Sequence, residues 1–467
     1  GTNYFQVGGE EISYTGVTAT SFTGITRAVR GSTRAAHSGG ATITNTSSWT
    51  GWGSAAANTD KVTDPGLWSI DNLGDNVIAL IHNSAVFEWN AAAPNSTSIR
   101  ATVITGAPTA SRDMLVSTPD RHLILFGTET TIGNTWAPSA TNSAGTQRLA
   151  AGSRIMGAKL GRNAIYVWTD TSLFTMRFVG TPFTFAYEQV GTNCGLIGMN
   201  AAVEVDGAAY WMSENGFFKF SGNLQSMDCL VEDYVYDDLN TTSNQLIYCG
   251  LNNLFGEIMW FFPTSTSNVV DRSVFYSYLD STPDRPIWFT NASTLFRRTT
   301  WQDSAIFGLP HGTAYDAGDD ASFDVTGNTE GSTIYYEHET GVNQQTSGGV
   351  IAAIPANILS GDFDITQDQQ RGITFRGDGE FIMRISRFLP DFISQSGDAI
   401  VSLDLRNYPN DTAVSSTLGP FNVTTSTTYQ SCRARARAVA VKISNTAVDS
   451  NWKLGTFRLD VHAGGRR

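Results

Sequence analysis

The sequence predicts an all-β chain: a β-propeller of about six blades followed by a β-sandwich-like platform domain. Three observations carry that expectation. Apolar runs of strand length recur about every 45 residues, a polar turn separates each run from a second one, and helical periodicity is nearly absent.

The recurring runs occupy 77–81, 122–126, 164–168, 208–212 and 257–262, with a weaker sixth copy at 304–308. Residues 208–220 show the pattern most plainly. An apolar run reaches Ser213-Glu214-Asn215-Gly216, and Phe217-Phe218-Lys219-Phe220 follows. Asn-Gly tolerates the positive φ that tight hairpin turns need. Residues 167–178 form a looser copy. Its second strand is expected to alternate Leu173, Thr175 and Arg177 on a wet face with Phe174, Met176 and Phe178 on a buried one. His82-Asn83-Ser84 before Ala85-Val86-Phe87-Glu88-Trp89 gives a third hairpin, and 274–278 closes a fourth. The competing arrangement is an irregular stack of hairpins in two sheets.

At 467 residues the chain exceeds a single core. Its 45 glycines, 11% aromatics and only 16% charged residues suit a turn-rich β protein. Cys194, Cys229, Cys249 and Cys432 include no CxxC pair. Cys229 and Cys249 are placed to meet across neighbouring hairpins, but so few cysteines do not make a disulfide framework. No apolar run approaches the length of a bilayer span and none reads as a signal peptide, so membrane insertion is not expected.

Pro355 marks an expected boundary: a small β module over 1–65 that belongs with the platform, a propeller over 66–354, and a sandwich over 355–467. The last segment carries longer strands at 372–376, 380–385, 399–405 and 433–444 between Gly, Pro and Asn-Asp turns. Residues 1–354 hold 32 acidic against 17 basic side chains, and 355–467 hold 11 against 13, giving nets of −15 and +2. Wrapping nucleic acid needs Lys and Arg to neutralise phosphates, so this balance argues against it. It is compatible with double-stranded DNA passing by without sequence-specific binding.

In the last segment Arg433, Arg435 and Arg437 alternate with alanines and share one face, which becomes Val439, Val441 and Ile443 further along. Two readings stand: a guanidinium row that docks on an acidic partner or on phosphates, or a ladder paired with Asp404 or Asp391 of a neighbouring strand.

Sites for chemistry are sparse. The six histidines are isolated and no zinc-binding spacing appears. His338 lies between Glu337 and Glu339, but strand alternation sends those carboxylates to the opposite face. Asp316, Asp319, Asp320 and Asp324 gather without an EF-hand pattern and read as a solvated acidic loop. Glu232, Asp233, Asp237 and Asp238 interleave with Tyr234 and Tyr236. They read as a charged strand edge or as a carboxylate pair for glycoside hydrolysis. No GxSxG, P-loop, dinucleotide fingerprint or Ser-x-Asp-x-Gly-x-x-Trp turn is present. No cofactor, metal or catalytic residue is expected, and the chain is expected not to be an enzyme.

Residues 67–79, with Trp68, Asp71 and Asn72, followed by 85–89, resemble the opening blade of the tail nozzle (tail tubular protein B-like) proteins of short-tailed bacteriophages. Residues 451–467 resemble that family's closing Trp-x-Leu-Gly-x-x-Arg-Leu-Asp strand through Trp452, Leu454, Gly455, Arg458, Leu459 and Asp460. Residues 9–37 are similar to a small β module of phage tail and baseplate proteins. His462 departs from the acidic turn expected before the final Gly-Arg-Arg.

The resemblance implies a propeller on a sandwich-like platform, assembled with identical subunits as a six-fold ring at the distal end of the DNA ejection conduit of a virion. The ring would meet a tail adaptor and portal complex and tail fibre or needle proteins. Arg433, Arg435, Arg437 and Arg458 would then serve inter-subunit or partner contacts. Glu232, Asp233, Asp237, Asp238, Asp316, Asp319 and Asp320 would line an acidic lumen or surface. The alternative is a receptor-binding propeller that takes host glycans on Trp49, Trp52, Trp136 and Trp301, or, further off, a glycan-degrading enzyme.

Overall fold

The computed structural model describes residues 3–29, 32–45, 67–93, 101–108, 110–118, 120–128, 136, 142–180, 182–291, 297–316, 332–345, 350–368, 372–374, 379, 381–408 and 414–465. The chain divides into two units, Gly1–Trp301 and Gln302–Arg467. Counted over these units the net charges are −7 and −6, where a division at Pro355 gives −15 and +2.

The first unit opens with a sheet ordered Thr26–Arg27, Glu10–Tyr14, Asn3–Val7, Ile43–Asn45. Phe5, Val7 and Ile12 are its buried core, closed by Tyr14 and Phe22. Glu10 is wholly buried there. It takes the Arg27 guanidinium, the backbone N–H groups of Ala28 (3.2 Å) and Ala35 (2.9 Å), and His37 Nε2 (2.8 Å). A buried carboxylate is tolerated when its lone pairs are all engaged. The hydrogen bond from Arg27 holds Glu10 well below the usual carboxylate range. Sequence patterning marks the module's strands; this buried anion fixes its loop.

Successive antiparallel meanders follow. Four have four strands each: Trp68–Leu73 through Thr102–Val103, Ile155–Leu160 through Thr184–Thr192, Ala202–Val205 through Leu224–Met227, and Tyr248–Asn252 through Trp288–Asn291. A two-stranded pair, Asp113–Val116 with Leu123–Phe126, comes between the first and second of these. The five strong apolar runs are the second strand of each sheet. The first strands lie side by side in chain order, each against the first strand of the next sheet.

Those first strands are clipped together. Asp71 Oδ2 accepts from Val116 N at 2.7 Å, and Asp113 Oδ2 accepts from Ala158 N at 2.7 Å, each across 45 residues. Asp113 Oδ1 also accepts from Ser69 Oγ (2.6 Å) and Met114 N (2.8 Å), so one buried carboxylate joins three sheets. Burial outweighs these hydrogen bonds and pushes the Asp113 carboxyl up. Later sheets use indoles instead: Trp260 Nε1 donates to Ala201 O (3.0 Å) and Trp301 Nε1 to Leu251 O (2.8 Å). Close approach demands glycine where sheets meet. A Cβ on Gly250 would stand 2.8 Å from the Trp301 side chain.

Burial and backbone angles refine the strand expectations. In Ser172–Gly180, residues 172–176 are buried on both faces, Leu173 and Thr175 included, while Phe178, expected on the buried face, is 50% exposed. The strand is interior to its sheet, and that sheet is covered on both sides. Trp168, Trp211 and Trp260 fill the space between sheets without exposure, with Trp168 and Trp211 meeting edge-on at 5.5 Å. Residues 304–308 form no strand: Ser304-Ala305-Ile306-Phe307-Gly308 turns, Gly308 takes φ +78°, and Ile306 is 91% exposed. In the 213–216 hairpin the positive φ falls on Gly216 (+117°), while Asn215 has none.

All four cysteines are free. Burial raises the Cys249 thiol and pushes Cys229 up to about 12. The acidic segment expected as a strand edge is the one-turn helix Glu232–Tyr236. Glu232 and Asp233 occupy its first turn, where carboxylates suit the helix dipole.

The second unit contains the hairpin His311–Asp316 with Ser332–Glu337, then a two-sheet sandwich. One sheet is ordered Ala356–Leu359, Ala438–Asn445, Ala399–Arg406, Ser416–Val423. The other is ordered Gln430–Ala436, Met383–Leu389, Arg458–Ala463. Met383, Ile385, Phe388, Val401, Leu403, Val439 and Ile443 belong to their shared core.

The expected continuous strand through 433–443 breaks at Arg437. Before it Cys432, Ala434 and Ala436 point inward; after it Val439, Val441 and Ile443 do. The buried parity flips from even to odd, and the chain crosses from one sheet to the other there.

Candidate functional site

The Gln430–Ala436 strand sends Arg433 and Arg435 outward because its alanines and Cys432 fill the core. The central strand of that sheet, Met383–Leu389, sends Arg384 to the same face by the same alternation. Register places Arg384 directly opposite Arg435 on one side and His462 on the other. Like charges directly opposite each other on a sheet are destabilising. No ion-pair partner for Arg384, Arg433 or Arg435 lies among the described residues. The result is a cationic face with no neutralising partner among the described residues.

Beside it runs an open groove of about 450 Å³, lined by Arg384, Ser386, Leu418, Phe421, Ser431 and Arg433. Leu418 and Phe421 come from Ser416–Val423, an edge strand of the facing sheet. Phe421 is fixed edge-on to Phe388 at 5.6 Å. The groove therefore pairs an apolar wall with guanidiniums, a combination suited to an anionic segment with an apolar side chain.

The remaining arginines behave differently. Arg437 lies outside the strand and donates to Gly379 O at 2.7 Å. Arg458 reaches Asp391 at 3.7 Å, and Arg387 pairs with Asp460 and lies over the Tyr429 ring at 5.7 Å. The anticipated ladder does not form: Asp404 accepts from Thr417 Oγ1 (2.8 Å), and Asp391 serves Arg458. Of the expected row, the structure leaves Arg433 and Arg435 outward and adds Arg384 and His462, which sequence reasoning missed. The outward Arg of Met383-Arg384-Ile385 was the available signal; its register opposite Arg435 was not.

On the one-turn helix, Glu232 and Asp233 are consecutive, so their side chains diverge by about 100°. Glu232, Asp233 and Asp237 are exposed and have no ion-pair partner among the described residues. Asp238 is engaged by Ser265 Oγ (2.5 Å) and Arg272 Nη1 (2.9 Å), which together hold its carboxyl low. None of these carboxylates lines the groove or the smaller cavity of about 190 Å³ beside His82, Arg112 and Arg154. Among the described residues no three His, Cys, Asp or Glu side chains are placed to hold a metal. Asp316 ends the strand His311–Asp316, and Asp319 and Asp320 lie outside the described residues.

The signature residues have structural work. Asp71 clips the next sheet and accepts from Asn72 N (2.8 Å). Trp452 Nε1 donates to Asn445 Oδ1 (3.1 Å), and Leu454 and Leu459 pack on the sandwich core. A Cβ on Gly455 would stand 2.8 Å from Asp391 O. Of the aromatics expected to hold glycans, Trp301 is buried and hydrogen-bonded, Trp136 is half-buried, and Trp49 and Trp52 lie outside the described residues. Trp68, by contrast, is 52% exposed.

No family model matches the chain, and no curated protein matches it. Among solved structures it is similar to the AfRom2 CNH domain, at 12% identity over 64% of this chain and 89% of that one, with a TM-score of 0.32. It is similar to an extracellular domain of a one-component system from B. thetaiotaomicron, at 12% identity over 61% of this chain and 38% of that one, with a TM-score of 0.28. It is also similar to a GH43 glycoside hydrolase, at 9% identity over 84% of this chain and 97% of that one, with a TM-score of 0.27. At these TM-scores the likenesses assign no activity. They do correct one expectation: with glycoside hydrolases among the similar structures, the exclusion of enzymatic activity is withdrawn.

Proposed function

We propose that the chain is a structural subunit of a phage tail: a propeller-like array and a sandwich platform, assembling with identical copies into a nozzle ring on the DNA ejection conduit. One observation carries the reading. Arg384, Arg433 and Arg435 stand outward on one sheet face, and Glu232, Asp233 and Asp237 stand exposed, all without an ion-pair partner among the described residues. Surfaces of opposite charge held unsatisfied suit a protein completed by assembly. The first strands set side by side in order support a radial array, and the end motifs support the family. DNA would pass such a ring without sequence-specific contacts, and the adaptor, portal and fibre proteins would be its neighbours. Electron micrographs of the purified chain test this: the expected result is a ring with a central channel. A chain that stays monomeric at every concentration refutes it.

A second reading is a glycan-binding array, favoured by the exposed Trp68 with Ile70 beside it on the Trp68–Leu73 strand. An exposed aromatic patch of this kind is a surface on which a sugar ring can stack. Glycan-array binding lost in Trp68→Ala separates it from the first.

A further inference from the structure

We propose that the Arg384, Arg433 and Arg435 face receives the acidic helix Glu232–Tyr236 of a second copy of this chain, docking one subunit's sandwich on the next subunit's sheet array. The proposal rests on the ring reading and supplies a contact for it.

The two surfaces match in charge. Three guanidiniums without partners among the described residues stand on one side, and three exposed carboxylates, Glu232, Asp233 and Asp237, stand on the other. Arg384 faces Arg435 across the sheet, a repulsion that incoming carboxylates relieve. Leu230, two residues before the helix, is 74% exposed. The groove of about 450 Å³ beside the arginines offers Leu418 and Phe421 to such a side chain. An apolar residue against an apolar wall, rimmed by opposite charges, is the usual anatomy of a protein interface. The patches differ, so the contact is heterologous: copies associate head to tail, and the series closes into a ring when the rotation permits.

The test is sedimentation equilibrium of the full chain between about 0.05 and 0.5 M salt, since exposed ion pairs are screened over that range. Arg433→Glu with Arg435→Glu should weaken association at least tenfold at low salt, roughly the effect of losing one well-placed charged contact. The thermal midpoint should stay unchanged. Glu232→Arg with Asp233→Arg should weaken association by a similar factor from the other side. It serves as the independent variant if the first chain misfolds. Combining all four substitutions should restore association. Wild-type association in either paired variant, or no recovery in the combined one, overturns the proposal. Rings that survive Arg433→Glu/Arg435→Glu sink this contact and leave the ring reading standing. A wild-type chain that never associates sinks both. Double-stranded DNA bound by the wild type and lost in the Arg→Glu chain would assign the face to phosphates and likewise overturn the proposal.

Discussion

Asp113→Asn isolates the carboxylate that joins three sheets. The side chain is buried, and each oxygen has a separate duty: Oδ1 accepts from Ser69 and Met114, and Oδ2 accepts from Ala158 N at 2.7 Å. An amide keeps one acceptor and turns the other position into a donor, which then faces the Ala158 N–H. A buried donor left unsatisfied costs about 1–3 kcal/mol. Removing a buried charge returns part of that, because desolvation already disfavours the carboxylate. The net expectation is a loss of about 1–2 kcal/mol. Asp113→Ala leaves both Met114 N and Ala158 N without acceptors and should lose about 2–5 kcal/mol. Urea unfolding followed by tryptophan fluorescence reads this directly, since Trp168, Trp211 and Trp260 are fully buried. The sign of the pH dependence is a second check. The folded carboxyl is raised above its ordinary 3.8, so its contribution is fully present below that value and is lost as pH rises through the folded value. The wild type should therefore gain on Asp113→Asn as pH falls from neutrality. A neutral Asn variant, or a gap that does not change with pH, would refute the clip.

Glu10 is held below its ordinary 4.5, so the stability it gives the N-terminal module is present above that pH and fades as pH falls further. Hydrogen exchange at Ala28 and Ala35 should rise below about pH 4.5 in the wild type and show no such step in Glu10→Gln. Trp260→Phe strands the Ala201 carbonyl and should cost about 1–3 kcal/mol in urea unfolding; an unchanged midpoint removes the indole's linking role. Gly455→Ala presses a methyl against Asp391 O, 2.8 Å away. It should destabilise by about 1–3 kcal/mol, with loss measured as a lower thermal midpoint. Cys229, its thiol pushed up to about 12, should react with a thiol reagent at neutral pH far more slowly in the folded chain than in urea.

What the sequence disclosed follows from where the strands sit. Second strands such as Ile165–Thr169 and Glu257–Phe262 are buried on both faces, so they announce themselves as unbroken apolar runs. The same burial hid the truth about Thr175, whose hydroxyl suggests a wet face though it is 1% exposed. Residues 304–308 carry the apolar content of a strand, but Gly308 at positive φ and Pro310 close behind it make them a turn. The helix Glu232–Tyr236 is one turn long, too short to express a 3.6-residue period.

At the candidate site, the outward direction of Arg433 and Arg435 was readable from alternation. Their meeting with Arg384 was not, because register is a property of two strands distant in sequence. The break at Arg437 was legible in principle. Cys432, Ala434 and Ala436 share one parity while Val439, Val441 and Ile443 share the other, and no single flat strand can bury both sets.

The two carboxylate clips each take their donor from the sheet that follows, 45 residues on. A segment cut or copied at that interval carries one acceptor out and one donor in, so the seam it leaves has the same chemistry as the seam it replaced. A residue inserted within one of the clipped strands shifts its register, leaving the acceptor on one side and an amide on the other unmet. Length added in the loops between sheets leaves both clips in place, so the seams of the array answer to strand register and not to distance along the chain.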